Sequence, residues 1–358
     1  MLRVLSILIA TGCASSVRTM DPPASVARLP HNPLITLTSS ASIGDDINGP
    51  SIIRVPDWVE HPLGRYYLYF AHHMGDHIRM AYADSIGGPW KIYEPGVLDV
   101  RDTAFFRPGP TAPADAATFH QVDRKNAPRV FATHIASPEV RVDPDGKRLL
   151  MWFHGWWTDG QPWPATSPEA NAWVQEHGYG QFTQLAESSD GIHFHVLPAI
   201  TKESFLRVIS HDGQLYGMAR LGKLMRSTDG TSFQVGPDAF RDGPYAARVR
   251  HVALLLRGAT LHVFFTAIED APERIMHSMI ELAGDWTTWR ASPPVEVLKP
   301  QTDYECAQLP VASSERGEAV GRARQLRDPA IVEDDGRLFL LYSVCGEQGI
   351  AAAELPRL

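Results

Sequence analysis

A short phrase occurs twice in this chain. It reads SSDGIHF at 188–194 and STDGTSF at 227–233. Asp-Gly between strand-like runs is a hairpin signal, and a hairpin that recurs implies a structural unit that recurs. Reading outward from the two copies, the same order of four short strands can be followed five times. The first unit takes 51–55, 66–71, 78–83 and 90–93, and the second 139–142, 149–153, 182–187 and 194–197. The third takes 206–209, 215–219, 223–227 and 233–235, and the fourth 251–256, 261–266, 275–281 and 286–290. The fifth has three, 330–333, 338–342 and 350–354, and then the sequence stops. The stretch 33–38 precedes the first unit and can supply the missing outer strand. That would close a ring and remove sheet edges. Only 168–176, after Ser167 as N-cap, reads as a short helix. The expected fold is all-β: a five-bladed β-propeller of four-stranded antiparallel blades, closed by an N-terminal strand. A jelly roll or a pair of β-sandwiches fits the period less well.

The 358 residues, 44% of them hydrophobic, are ample for such a core as one domain over 31–358. A net charge of -8 disfavours nucleic acid as a partner, and Arg322, Arg324 and Arg327 form the one basic cluster. Residues 1–13 read as a targeting segment, with Arg3, an apolar run to Ala10, and Cys13 placed as in a bacterial lipoprotein signal. The expectation is export with a lipid anchor at Cys13 as the only membrane contact. Ordinary secretion and a cytoplasmic start are the alternatives. A linker is expected over 14–30. Cys306 and Cys345 can be two thiols or, in an oxidising compartment, a disulfide.

Three stretches carry a resemblance. MAYADSIGGPWKIYEPG, with YYLYFAHH before it and LRDPAIVEDDGRLFLLYS near the end, is similar to the five-bladed glycoside hydrolases of family 43 and their clan relatives, including family 32. The resemblance implies the propeller fold and a glycosidase activity on carbohydrate. It also implies that the SxDGxxF phrase joins the third strand of a blade to the fourth. Phe194 and Phe233 would then pack between blades, and Asp190 and Asp229 would be structural. One departure stands out. Family 43 enzymes place a general-base Asp, in an Asp-Pro context, where the first blade begins. Here that place reads INGPS, with Asn48. The RDP and EC motifs of family 32 both occur, in reversed order.

In a meander, the start of strand one and the turn from strand two to strand three share one face of the ring. Sorted this way, acids, histidines, arginines and tryptophans converge on that face, where binding loops are expected. Glycoside hydrolysis needs two carboxyl groups flanking one bond. The candidates are Asp328, Glu305, Glu139 and Asp46. Each has a plainer reading: a turn cap, a solvated loop acid, a partner of Arg207 or Arg250, a loop aspartate. Asn48, His72, His73, His134, His154, Trp156, Arg207, Arg250, His251 and Arg327 are the candidate substrate-binding residues. Adjacent His72 and His73 point to opposite faces of a strand, so one at most lines a pocket. No cofactor is expected, although histidines from several blades could surround a central ion. The three arginines suit an anionic group on the substrate, or else balance buried acids. Trp156, Trp157 and Trp163 could stack on sugars or anchor a loop. Three functions follow as expectations: a glycoside hydrolase, a glycan-binding propeller without turnover, or a phosphorolytic relative.

Overall fold

The computed structural model describes residues 25–106, 134–143, 145–159 and 176–358. The targeting segment, Trp163 and all but the last residue of the expected helix lie outside the described residues. The fold is a five-bladed β-propeller. Its closing blade begins the chain with β1 (Ala27–Arg28) and β2 (Ile35–Thr36). Blade one is β3 (Asn48–Arg54), β4 (Tyr66–Ala71), β5 (His77–Ala83) and β6 (Lys91–Asp99). Blade two is β7 (Ile135–Asp143), β8 (Arg148–Trp157), β9 (Gly180–Ser188) and β10 (His195–Thr201). Blade three is β11 (Arg207–His211), β12 (Gln214–Met218), β13 (Lys223–Ser227) and β14 (Gln234–Asp238). Blade four is β15 (Val249–Arg257), β16 (Thr260–Ala267), β17 (Ile275–Glu281) and β18 (Val295–Leu298). Blade five is β19 (Arg327–Asp334), β20 (Arg337–Val344) and β21 (Gly349–Leu355).

The ring closes as expected, by antiparallel pairing of N-terminal residues on β21, but with two segments rather than one. Ile35 pairs with Ile350, and Ala27 pairs with Glu354. The closing edge therefore reaches into the stretch read as linker. The Arg28 side chain holds it there, through an ion pair with Glu305 at 2.8 Å. The outer strand of blade four also departs from expectation. A 3-10 turn, Trp286–Thr288, takes its place, capped by Asp285, and Trp286 and Trp289 are buried in the core. The strand follows at Val295–Leu298.

The repeated phrase explains itself. In each copy the Ser hydroxyl donates to the Asp carboxylate and accepts from the Asp and Gly amides, while the carboxylate accepts from the two amides that follow. Both glycines sit at positive φ, +79° and +75°, which an L side chain resists. Each hairpin is also latched to the blade before it. The Tyr69 hydroxyl of blade one donates to the Gly191 carbonyl at 2.9 Å, and the Trp152 indole of blade two donates to the Gly230 carbonyl at 3.1 Å. Phe194 meets Tyr69 edge-on, with ring centroids 5.9 Å apart. Cys306 and Cys345 form a disulfide. No described helix is long and apolar enough to cross a membrane.

Candidate functional site

Four of the five innermost strands begin with the same irregularity. Between Asn48 and Ser51, Ala136 and Glu139, Val249 and Val252, and Arg327 and Ala330, two residues bulge out of the ladder. A bulge re-aims a side chain at the end of a strand. Its first residue is Gly49, Ser137, Arg250 or Asp328, and three of these have positive φ and are followed by proline. Blade three lacks the bulge, and its register runs evenly from Arg207. This alignment corrects the reading of Asn48. The blade-one position that matches Asp328 is Gly49, which has no side chain, whereas Asn48 matches Arg327.

Around the axis these bulges gather a buried polar cluster. Asp328 is fully buried, its Oδ1 against Nδ1 of His251 and its Oδ2 accepting from Ser343 at 3.0 Å. Burial pushes Asp328 up, but His251 and Arg327 outweigh it and hold the carboxyl below its usual range. Burial lowers His251 below the ordinary imidazole value. At neutral pH the pair is therefore a carboxylate accepting from a neutral imidazole, which leaves His251 Nε2 as an acceptor.

The seam between blades one and five holds a second unit. Asp46 and Glu347, 2% and 0% exposed, lie close enough for the charge of one to act on the other. Asp46 also accepts from the His73 amide at 2.8 Å. Burial and then the charge of Glu347 raise Asp46 well above the carboxylate range. In Glu347 burial is outweighed by His73 and Arg327, and its pKa is depressed. The pair is thus driven apart, towards a protonated Asp46 beside an ionised Glu347. Arg327 donates to Glu347 at 2.8 Å, and Nδ1 of His73 lies 3.3 Å from it and 3.1 Å from Asn48 Nδ2.

The other predicted residues divide. His134 and His154 of blade two join the axis, with ring centroids 6.0 Å apart. His154 is pushed well below its ordinary pKa by burial and then by His134, His73, His251 and Arg220 around it. His72 faces away and meets Asp45 at 2.8 Å, so His73 is the member of that pair at the axis. Trp157 packs on Tyr179 and Phe182 as a loop anchor, and Trp156 beside it is half-buried.

Two catalytic candidates fall elsewhere. Glu305 is fully buried but away from the axis. Its oxygens take two bonds from Arg28, one from Tyr342, and the amides of Gln301 and Thr302. Every acceptor direction is used in fastening the closing strand. Glu139 faces the narrow channel below the cluster, a space of about 30 Å³, paired with Arg141 at 2.7 Å and Arg207 at 3.3 Å.

The arginines expected to bind an anion are likewise engaged. Arg207 serves Glu139 and the Pro138 carbonyl, and Arg250 serves Glu273 at 2.8 Å. Arg327 serves Glu273 and Glu347. Sequence reasoning left Glu347, Ser343 and Arg79 out of the candidates. Arg79 donates to the Asp46 carbonyl at 3.0 Å. Glu347 had a usable signal, its place in a turn from strand two to strand three.

Among the described residues, no three His, Cys, Asp or Glu side chains are arranged to hold a metal ion. A cavity of about 1070 Å³ lies at the rim between β6 and the β9–β10 hairpin, away from this cluster. The concentration of shifted carboxyls and imidazoles marks the axis, not that groove, as the candidate site.

No family model matches the chain. The fold is that of family 43 glycoside hydrolases. An α-L-arabinofuranosidase from Lactobacillus brevis is 10% identical, with 90% of this chain and 92% of that one covered and a TM-score of 0.54. A β-xylosidase/α-arabinofuranosidase from a compost microbial metagenome is 12% identical over 92% and 94%, also at 0.54. A family 43 enzyme from Xanthomonas citri is 11% identical over 92% and 90%, at 0.52. In sequence the chain is 34% identical over 357 residues, 93% of its own length and 90% of the relative's, to "Uncharacterized protein R118" of Acanthamoeba polyphaga mimivirus. Likeness of that extent, end to end, makes the protein a member of the same family as this viral protein.

Proposed function

We propose that the protein is a glycoside hydrolase working at the axial cluster. The observation that carries this is one buried axial cluster that holds Asp328 against His251 and Ser343, and Asp46 against the His73 amide, with the Asp46 carboxyl pushed up by burial and Glu347 and the Asp328 carboxyl held down by His251 and Arg327. Such a split is how one site supplies an acid and a base at one pH. Asp46 donates its proton to the glycosidic oxygen as the bond to the anomeric carbon breaks. A water attacks that carbon while its proton passes to Nε2 of His251. Asp328 holds the Nδ1–H of that ring, fixing the tautomer. Solvent then returns a proton to Asp46 and removes one from His251. The family 43 enzymes of similar fold, arabinofuranosidases and xylosidases by name, support a carbohydrate substrate.

Export with a lipid anchor at Cys13 belongs to the same proposal, and the Cys306–Cys345 disulfide supports an oxidising compartment. A second reading, a glycan-binding propeller, draws on Gly49, which leaves blade one without the carboxyl that blade five has. Incubating the protein with a panel of glycans and aryl glycosides, with and without phosphate, tests both. Sugar release by wild type and not by Asp328→Asn supports hydrolysis. Binding without release supports the second reading, and release only with phosphate points to phosphorolysis.

A further inference from the structure

The turn joining β12 to β13 projects from blade three on the site face. It is tightly set: the Ala219 amide donates to Lys223 at 2.9 Å, the Arg220 amide donates to Ser204 at 2.9 Å, and Leu221 and Gly222 both sit at positive φ. Arg220 is therefore held on a rigid backbone, and its side chain is half-buried. Nothing among the described residues neutralises it. Glu203, the acid whose charge acts on Arg220, is committed to Lys223 at 2.5 Å, and Arg250 and Arg316 act on it as like charges. The residue after Ser204 is Phe205, whose ring centroid lies 4.1 Å from that of His154 and 4.4 Å from that of His251, so the turn bearing Arg220 stands at the wall of the axial cluster.

Arg316 is brought there by design of the ring. The guanidinium of Arg250 donates to the carbonyls of Glu315 and Gly317, on either side of it, and Arg327 donates to Gly317 at 3.0 Å. Two buried arginines thus clamp the loop that bears the exposed one. Arg250 and Arg327 have acids of their own, whereas Arg220 and Arg316 form no ion pair within the described residues. An unpaired guanidinium in a partly desolvated position is a strong acceptor site for carboxylate or sulfate oxygens, because it offers a planar fork of donors at little further desolvation cost.

We propose that Arg220, with Arg316 beside it, is an anion subsite next to the axial carboxyls, and that the glycan bound here carries a carboxylate or sulfate group. The inference rests on the proposed glycan site and adds its substrate class and the residue that selects it. It departs from the sequence reading, which gave this role to Arg207, Arg250 and Arg327.

The test compares a uronate oligosaccharide with its carboxyl-reduced form, and a sulfated oligosaccharide with its desulfated form. Each is measured as kcat/KM where turnover occurs and as Kd by calorimetry in every case. Wild type should prefer the charged member of at least one pair. Arg220→Gln should lower the charged-to-neutral ratio about 10- to 100-fold, the worth of a charge-assisted hydrogen bond. Arg220→Lys should restore part of it, and the preference should shrink as salt rises. Which pair responds identifies the anion. A ratio near one in wild type for both pairs overturns the proposal, as does a ratio that Arg220→Gln leaves unchanged. Charge preference in binding without turnover would sustain the subsite while removing the hydrolase reading, so the two fail separately.

Discussion

Asp229 and Asp46 are both aspartates at the end of a strand, and the fold drives them in opposite directions. Asp229, in the second copy of the repeated phrase, accepts from the Ser232 and Thr231 amides and from Ser227, and its pKa falls to about 2. Asp46, at the axis, is raised well above the carboxylate range by burial and by Glu347. The hairpin uses its acid to finish a turn that is complete in itself. Around Asp46 the accounting is left open. The Asn48 Oδ1, the Ser137 hydroxyl and Nδ1 of His154 are buried without a hydrogen-bond partner. Buried polar groups are nearly always satisfied. The hairpin closes its hydrogen bonds within itself, whereas the axis keeps polar atoms that its own side chains do not satisfy.

Isosteric substitution at the axis should break this contrast most sharply. Asp328→Asn keeps the shape against His251 and Ser343 but presents the wrong hydrogen-bonding to the ring. Turnover should fall roughly a thousand- to ten-thousand-fold, as removal of an orienting carboxylate does elsewhere, with the melting temperature nearly kept. A variant that melts early yet turns over normally would make Asp328 a structural acid like Asp229.

Asp46→Asn comes next. An amide cannot donate a proton to a leaving oxygen, so kcat should fall about a hundred- to a thousand-fold. The variant also sharpens the pH argument. Folding raises the pKa of Asp46, so its native contribution is fully present below the unfolded carboxylate range and is lost as pH climbs through the folded value. Wild type should therefore lose stability over that rise, and Asp46→Asn should lose less. Parallel melting curves against pH for the two proteins would contradict a protonated Asp46.

How far this was legible follows from distance along the chain. The hairpin is a closed system of seven residues, so its hydrogen bonds could be read from SSDGIHF and STDGTSF alone, and the blade order followed from its period. The axial site obeys the ring. The face rule put Asp46, His73, His154, His251 and Asp328 on one face of the ring. It could not say which acids would be spent on which arginines, because that is decided where blades meet. Glu305 shows the limit. Its motif looked chemical, but Arg28, 277 residues away, and Tyr342 consume it. The bulge was only half legible: Pro50 and Pro329 already set Gly49 opposite Asp328 in the sequence, but only the register shows that the residue before each proline is the one re-aimed.

Glu305→Gln turns that limit into a measurement. The change removes the charge that Arg28 and Tyr342 face, while Arg28, itself partly exposed, keeps the Gln301 side chain and the Lys299 carbonyl, so the cost should be about 1–2 kcal/mol. The protein should melt several degrees lower, with the amides of Ala27 and Arg28 exchanging faster, while kcat holds. Loss of kcat at unchanged stability would return Glu305 to the catalytic residues.

Ser227→Ala should show the smallest effect, and it probes the satisfied side of the comparison. The hydroxyl accepts from the Asp229 and Gly230 amides at 3.2 and 2.9 Å and donates to the Asp229 carboxylate at 3.0 Å. Its loss leaves the Gly230 amide buried without an acceptor, which costs about 1–2 kcal/mol. Because Gly230 also carries the carbonyl that takes the Trp152 indole, loosening the turn should loosen the latch between blades two and three. Faster exchange of the Gly230 amide and of the Trp152 indole proton should therefore appear together, with kcat unchanged. Faster exchange at Gly230 alone would mean that the turn is self-sufficient and the latch merely rests on it.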